Sequence, residues 1–313
     1  MRCLIFISVL LLVGVCQAVE RDYQLKPQQV AEDTYVLIGH DEHFSFSNGG
    51  NIVNTGFIVT EAGVVVIDSG PSRLYGEQLK AAIARVTDKP VVKLFITHMH
   101  PDHFLGNQAF EDLPIGALKK TQGGIRLLGE TFNDNLYRLV GSWMKGTRVV
   151  APNLQVEPGL EEIGGHRLQL IALKGHTGAD LVILDQTSGV LFAGDLVFYG
   201  RTPTTPHARL DEWQAALQQL QKLDFKVLVP GHGPPVTSEV AISQTSAYLN
   251  WLQTYLTEQA GSGAAMAELL QPEAPQHLRE LAVFSEEYTR SLSHLYPALE
   301  AAALAEGKVE QLQ

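Results

Sequence analysis

After the largely polar stretch 20–33, apolar runs alternate with polar turns in two different rhythms. Thr34 to Ile38 and Asn51 to Val59 read as strands, followed by the run Gly63-Val64-Val65-Val66-Ile67-Asp68. Between the first two lies 41–50, a loop carrying Phe44 and Phe46 and ending in Asn48-Gly49-Gly50. Ser69-Gly70-Pro71-Ser72 punctuates a helix start, after which Leu79, Ala82, Ile83 and Val86 fall at helical spacing. Val91 to Ile96 predicts a strand, and 118–145 predicts helix interrupted by glycines. Hairpin signals come next: Glu161 to His166 with its Gly164-Gly165 turn, Leu168 to Leu173, Leu181 to Leu184, and Val190 to Phe192. Leu210, Trp213, Leu217 and Leu220 mark a further helix, and Phe225 to Val229 a strand.

From about Ser238 the chain becomes rich in Ala, Leu, Gln and Glu, which predicts helices broken near Gly261-Ser262-Gly263 and Pro272. Its stripe Ile242, Leu249, Leu252 and Leu256 predicts a docking face, with Tyr248, Trp251 and Tyr255 either covering the core or bordering a cleft. Strands alternating with helices, together with hairpins, predict a layered α/β (α+β) fold with mixed sheets and helices outside. The helical part, 238–313, is expected to pack on the preceding domain as an extension.

The first residues change the picture of where the protein works. Met1 to Ala18 holds one charge at Arg2, an apolar stretch from Leu4 to Val15, and Cys16-Gln17-Ala18. This is the pattern of a secretory signal peptide, 1–18, and it is too short for the roughly 20 residues of a spanning helix. The expected location is therefore exported, in a bacterial periplasm. Cys3 and Cys16 are the 2 cysteines of the chain and both leave with that segment, so no metal site of the mature protein uses a thiolate. Loss of Arg2 takes the formal net charge from −11 to about −12, which argues against nucleic acid or an anionic membrane surface as a partner. The expected partner is a small-molecule substrate, and no oligomeric state is legible.

Thr97-His98-Met99-His100-Pro101-Asp102-His103 supplies the candidate chemistry. Three imidazoles and a carboxylate crowded behind an apolar strand are costly unless they hold a cation. His98 and His100, two apart on extended backbone, project to one side. Pro101 bars the helical conformation at His100 and predicts a turn in place of a helix. Asp102 and His103 then point to a second locus, so the spacing invites two metal ions. His176, Asp195 and His232 each follow an apolar run and adjoin a glycine, where a strand is expected to end beside a site.

His-x-His-x-Asp-His, then Gly-His-Thr, Gly-Asp and Gly-His, in that order, resembles the ligand set of the metallo-β-lactamase superfamily. The resemblance covers Thr34 to His232. It implies a four-layer αβ/βα sandwich as a catalytic domain over 19–237, with two metals at one edge. His98, His100 and His176 would hold one metal; Asp102, His103 and His232 would hold the other; Asp195 would bridge. An aspartate where the secreted lactamases carry cysteine is more similar to the glyoxalase II, lactonase and phosphodiesterase branches. The leader, the length and the string Asp195 to Arg201 resemble exported zinc hydrolases associated with quinoprotein relay systems.

Imidazole and carboxylate without sulfur suit two Zn²⁺ per chain, and also Fe or Mn. Bridged cations would lower the pKa of an intervening water towards about 7, and Asp102 would orient the resulting hydroxide. The expected activity is hydrolysis of a small ester, thioester, lactone or amide. The rival activities are β-lactam hydrolysis, persulfide oxidation at a single iron, and metal binding without catalysis. Asp68 is expected to brace the histidine turn from behind, with Asp180 in a similar role or as a turn former. Tyr199 and Arg201 are candidates to meet a substrate carboxylate or phosphate. Phe44 and Phe46 either form a flap or pack inside. His40, His43, His166, His207, His277 and His294 lack clustered partners and read as solvated or simply hydrogen-bonded.

Overall fold

Val64, Val65, Val66 and Ile67 send alternate side chains in opposite directions, and both directions are apolar. Such a strand has to be covered on both faces, and this requirement sets the layering. The structure, a computed structural model, describes residues 21–310; the signal peptide expected over 1–18 lies outside them. Seven strands form one sheet in chain order: β1 (Gln28–Ala31), β2 (Thr34–Leu37), β3 (Thr55–Thr60), β4 (Gly63–Ile67), β5 (Val91–Phe95), β6 (Ile115–Ala117) and β7 (Leu154–Gln155). It is antiparallel up to β4 and parallel beyond. The second sheet holds β8 (Gly159–Ile163), β9 (His166–Leu173), β10 (Asp180–Asp185), β11 (Val190–Phe198) and β12 (Val227–His232), again side by side in chain order. Its pairings are antiparallel except β11 with β12.

The two sheets face each other over Val65, Ile67, Phe95, Leu181, Ile183 and Phe192. Val64 and Val66 point the other way, into a core with helices α1 (Arg73–Ala84) and α3 (Lys119–Val140). Val182, Leu191 and Ala193 leave the second sheet outward, onto α4 (Leu210–Leu220), α5 (Val240–Ser262) and α7 (Phe284–Glu310). Each fully buried Val, Leu, Ile or Phe contributes about 1.5–3 kcal/mol, so three stacked cores give the sandwich its rigidity. Two single helical turns, α2 (Pro101–Phe104) and α6 (Gln276–Arg279), complete the helices. Ile242, Leu249, Leu252 and Leu256 are buried on α5 as a docking face, and Tyr248 with them. Among the described residues no helix is long and apolar enough to cross a membrane.

Three expectations change. Helix α3 runs unbroken through Gly123, Gly124 and Gly129. The glycines there allow close approach: a Cβ on Gly124 would lie 2.4 Å from Met99 Sδ, and one on Gly129 would lie 2.8 Å from Val149 Cγ1. Strand β11 continues past Asp195 to Phe198. Finally β1, β6 and β7 are strands of only 4, 3 and 2 residues, too short for a period to show.

Candidate metal centre

Strand β5 delivers the histidine segment to the edge where the sheets meet. His100 keeps extended backbone, φ −78° and ψ 148°, as a residue before proline should. Pro101 itself opens α2 at its first position, where a fixed φ and a missing N–H cost nothing. The turn expected here is therefore a short helix, and it carries Asp102 and His103, with the His103 ring 4.1 Å from that of His98.

Asp68 ends β4 in the left-handed region at φ +58°, a conformation aspartate tolerates better than most residues. Its Oδ1 accepts from Thr97 N at 2.8 Å, and its Oδ2 accepts from Thr97 Oγ1 at 2.8 Å and His103 Nδ1 at 2.7 Å. Thr97 Oγ1 in turn lies 3.0 Å from His98 Nδ1. One buried carboxylate thus orients an imidazole from each half of the segment, each with Nε2 facing forward.

His176 sits in the β9–β10 turn. Gly175, at φ +150°, passes so close to α4 that a Cβ would lie 2.3 Å from Trp213 Cα. Asp180 closes that turn, accepting from Thr177 N at 3.0 Å and Thr177 Oγ1 at 2.6 Å, and burial pushes its carboxyl up to about 7. Asp195 follows Gly194, whose φ of +52° interrupts the register with β12 and turns the carboxylate to the edge. His232 ends β12, donates from Nδ1 to Ile52 O at 2.6 Å and stacks on Phe198, with ring centroids 5.0 Å apart.

These seven side chains converge in two groups, His98, His100, His176 and Asp195, and Asp102, His103 and His232. In the first, His100 Nδ1 is 3.1 Å from His98 Nε2 and 2.8 Å from His176 Nε2. Asp195 Oδ2 is 3.3 Å from His176 Nε2 and 3.3 Å from His232 Nε2, while Oδ1 is 3.1 Å from His103 Nε2. Asp195 therefore touches both groups. Asp102 Oδ2 lies 3.5 Å from His232 Nε2.

All seven residues are buried, and His103 Nε2 and Asp195 Oδ1 have no hydrogen-bond partner among the described residues. An unsatisfied buried polar atom costs about 1–3 kcal/mol, which a bound cation removes. Burial holds His98, His100 and His176 well below the usual histidine range, so they present lone pairs rather than protons. Burial opposes charge on His103 and Asp195 as well, but opposite charges prevail: Asp195, Asp68 and Asp102 raise the His103 imidazole, and His232, His103 and His98 lower the Asp195 carboxyl. The donors are nitrogen and oxygen only. The set fits divalent metal ions.

A cavity of about 420 Å³ opens over the cluster. Arg201 lines it, but only 1% of the residue is exposed, and Nη2 is committed to Glu287 Oε1 at 3.1 Å. Its guanidinium fastens the wall and does not await a substrate. Tyr199 is outside the lining and packs on the core of the second sheet. The 41–50 loop divides: Phe44 lines the cavity, whereas Phe46 is 56% exposed under the Arg21 guanidinium.

Sequence reasoning missed His207, whose Nδ1 lies 2.8 Å from His100 Nε2, and also His43, Arg138 and Arg290, which line the cavity. His207, His43 and Arg138 have no charged partner nearby in sequence, and Arg290 pairs locally with Glu287 three positions before it, a spacing that reads as an ordinary helix-surface pair. His166 instead pairs with Asp185 at 2.8 Å and locks two hairpin turns together.

Comparison with known proteins agrees with this geometry. The chain is similar to a linear primary-alkylsulfatase of a Pseudomonas species, 22% identical over 277 residues covering 74% of this chain and 52% of the relative. It thus spans about half the length of that protein. It is also similar to the acyl-coenzyme A thioesterase MBLAC2 of Gallus gallus, 23% identical over 216 residues, 60% of this chain and 74% of the relative. Among solved structures, the metallo-beta-lactamase IND-7 superposes with a TM-score of 0.60 at 19% identity, covering 74% of this chain and 100% of the other, a likeness of fold. The family model for the metallo-beta-lactamase superfamily matches residues 48–232, which runs from the loop before β3 to the last metal-facing histidine. That span is more than half of the chain, and the protein belongs to the metallo-beta-lactamase superfamily.

Proposed function

We propose that the protein is an exported, dinuclear metal-dependent hydrolase, with two Zn²⁺ as the resident ions, acting on a small ester or thioester. The observation that carries this reading is Asp195, whose carboxylate approaches His176 of one group and both His103 and His232 of the other. A carboxylate so placed would be available to both ions. His98, His100 and His176 would hold one ion, and Asp102, His103 and His232 the other. Bound there, the ions supply Lewis acidity and an activated water.

The protein's own residues do the remainder. Asp68 holds His98 and His103 in the tautomers that point Nε2 at the cluster. Asp102, at the cavity floor, is placed to accept a proton from water. The water oxygen bonds to the carbonyl carbon, the acyl–O or acyl–S bond breaks, and the leaving atom takes the proton. The resemblance to a sulfatase and a thioesterase supports hydrolysis, and the apolar run before residue 18 supports export.

Elemental analysis of the purified protein, followed by a turnover screen of acyl esters, thioesters, lactones and a chromogenic β-lactam, tests the proposal. About two zincs per chain with ester or thioester turnover are expected. A single iron with oxygen consumption, or turnover confined to the β-lactam, would overturn it.

A further inference from the structure

The cavity over the metal centre has walls that hydrolysis alone does not require. One side is apolar, built by Phe132, Leu136 and Leu139 of α3 with Phe44 facing them from the 41–50 loop. Outside the metal-facing cluster, the lining's full charges are Arg138, Arg201, Arg290 and Glu287. Three cations against one carboxylate stand out in a chain whose formal net charge is −11. Away from the metal-facing Asp102 and Asp195, the charge of the lining is opposite to that of the protein.

The three arginines are not equivalent. Glu287 is 0% exposed and accepts from Arg201 Nη2 at 3.1 Å and from Arg290 Nη1 at 3.2 Å. Arg201 spends three further N–H groups on Glu42 O, Thr202 O and Thr204 Oγ1. Arg290 reaches Glu287 through Nη1, and its side chain stays 38% exposed. Arg138 stands on the exposed face of α3 and has no ion-pair partner among the described residues. Arg201 and Arg290 share the one carboxylate of Glu287, which leaves one net positive charge on that trio, and Arg138 adds a second at the mouth. A concave, partly apolar wall concentrates that field.

We infer that the substrate is an amphipathic anion. Its apolar acyl or alkyl body lies along Phe132, Leu136 and Leu139, and a charged oxyanion group distinct from the scissile bond is held by Arg138 and Arg290. The identity of the scissile bond rests on the hydrolase reading above; the anion subsite does not. A guanidinium offers paired N–H donors to a carboxylate or sulfonate, and that pairing is worth more inside a cavity than on open surface. An uncharged substrate of equal length would gain the apolar contacts alone.

The test uses the metal-loaded protein and two probes that cannot be hydrolysed, octane-1-sulfonate and octan-1-ol, measured by calorimetry. The sulfonate is expected to bind at least about tenfold more tightly than the alcohol, and Arg138→Ala and Arg290→Ala each to weaken it by about fivefold without changing the alcohol. Raising ionic strength from about 0.01 M to about 1 M should remove most of the difference. Arg138 is exposed and Glu287 keeps Arg201, so neither variant threatens folding. Equal affinity for the two probes would overturn the inference. So would sulfonate binding that survives both substitutions but is lost on metal removal, since the anion would then sit on the ions. A kinetic arm compares p-nitrophenyl octanoate with the p-nitrophenyl monoester of octanedioic acid, the charged ester being expected to show the lower KM and to lose that advantage in Arg290→Ala. Arginine-dependent sulfonate binding with turnover of neither ester would sink the hydrolase reading and leave the anion subsite standing.

Discussion

His207 Nδ1 lies 2.8 Å from His100 Nε2, across 107 positions of sequence. His100 turns Nδ1 to the metal cluster, so its Nε2–H needs an acceptor, and His207 supplies one at the cavity edge. Such partners fix the tautomer and the ring plane of a metal-facing histidine. His207→Ala is therefore expected to weaken metal retention by about 10- to 100-fold with little change in thermal stability of the metal-free protein. Competition against a chromogenic chelator measures it, and unchanged retention would refute the role.

Asp68 receives three donors, Thr97 N, Thr97 Oγ1 and His103 Nδ1, on two oxygens. An asparagine in its place would offer one oxygen and introduce an N–H₂ where donors already converge. Asp68→Asn should leave a folded protein with metal affinity lowered by about 10- to 100-fold, read from metal content after dialysis. Full occupancy after dialysis would show that the carboxylate only caps a turn.

Arg201 and Glu287 join the loop after β11 to α7 in a buried pair, helped by the hydrogen bond from Thr205 Oγ1 to Ser291 Oγ at 2.7 Å. Glu287→Ala strands a buried guanidinium and should cost about 3–5 kcal/mol in urea unfolding. Replacing both partners, Arg201→Met with Glu287→Leu, should recover most of that loss, because breaking a buried pair is worse than removing it. A double variant no more stable than the single one would refute this.

Gly231 sits beneath the Asp195 carboxylate, where a Cβ would lie 1.9 Å from Asp195 Oδ1 and 2.8 Å from Gly194 C. Gly231→Ala must push Asp195 aside. Metal content is expected to fall to about one per chain or less, since a misplaced ligand loses most of its affinity. Two metals per chain in this variant would mean Asp195 is not shared.

Legibility in the sequence followed locality. The segment from His98 to His103 carries its own argument, and the glycines beside His176, Asp195 and His232 flag backbone that runs close to something. The alternation in Val64 to Ile67 likewise marks a strand. Arg201 was legible as a residue near the site but not as a buried ion-pair member, because its partner Glu287 stands 86 positions on. His207, Arg138 and Arg290 became visible only when α3, α7 and the loop between β11 and α4 closed round one cavity. The glycines of α3 misled for a related reason: their use is to admit Met99 and Val149, neighbours that sequence pattern does not name.

Helix α7 begins at Phe284, well after the last metal-facing residue, His232, yet Glu287 and Arg290 line the cavity over the metal-facing cluster. Admission and reactivity are thus written in separate stretches of the polypeptide. Mutations gathering in the final helix can redirect the protein's diet while its inorganic heart stays as it was.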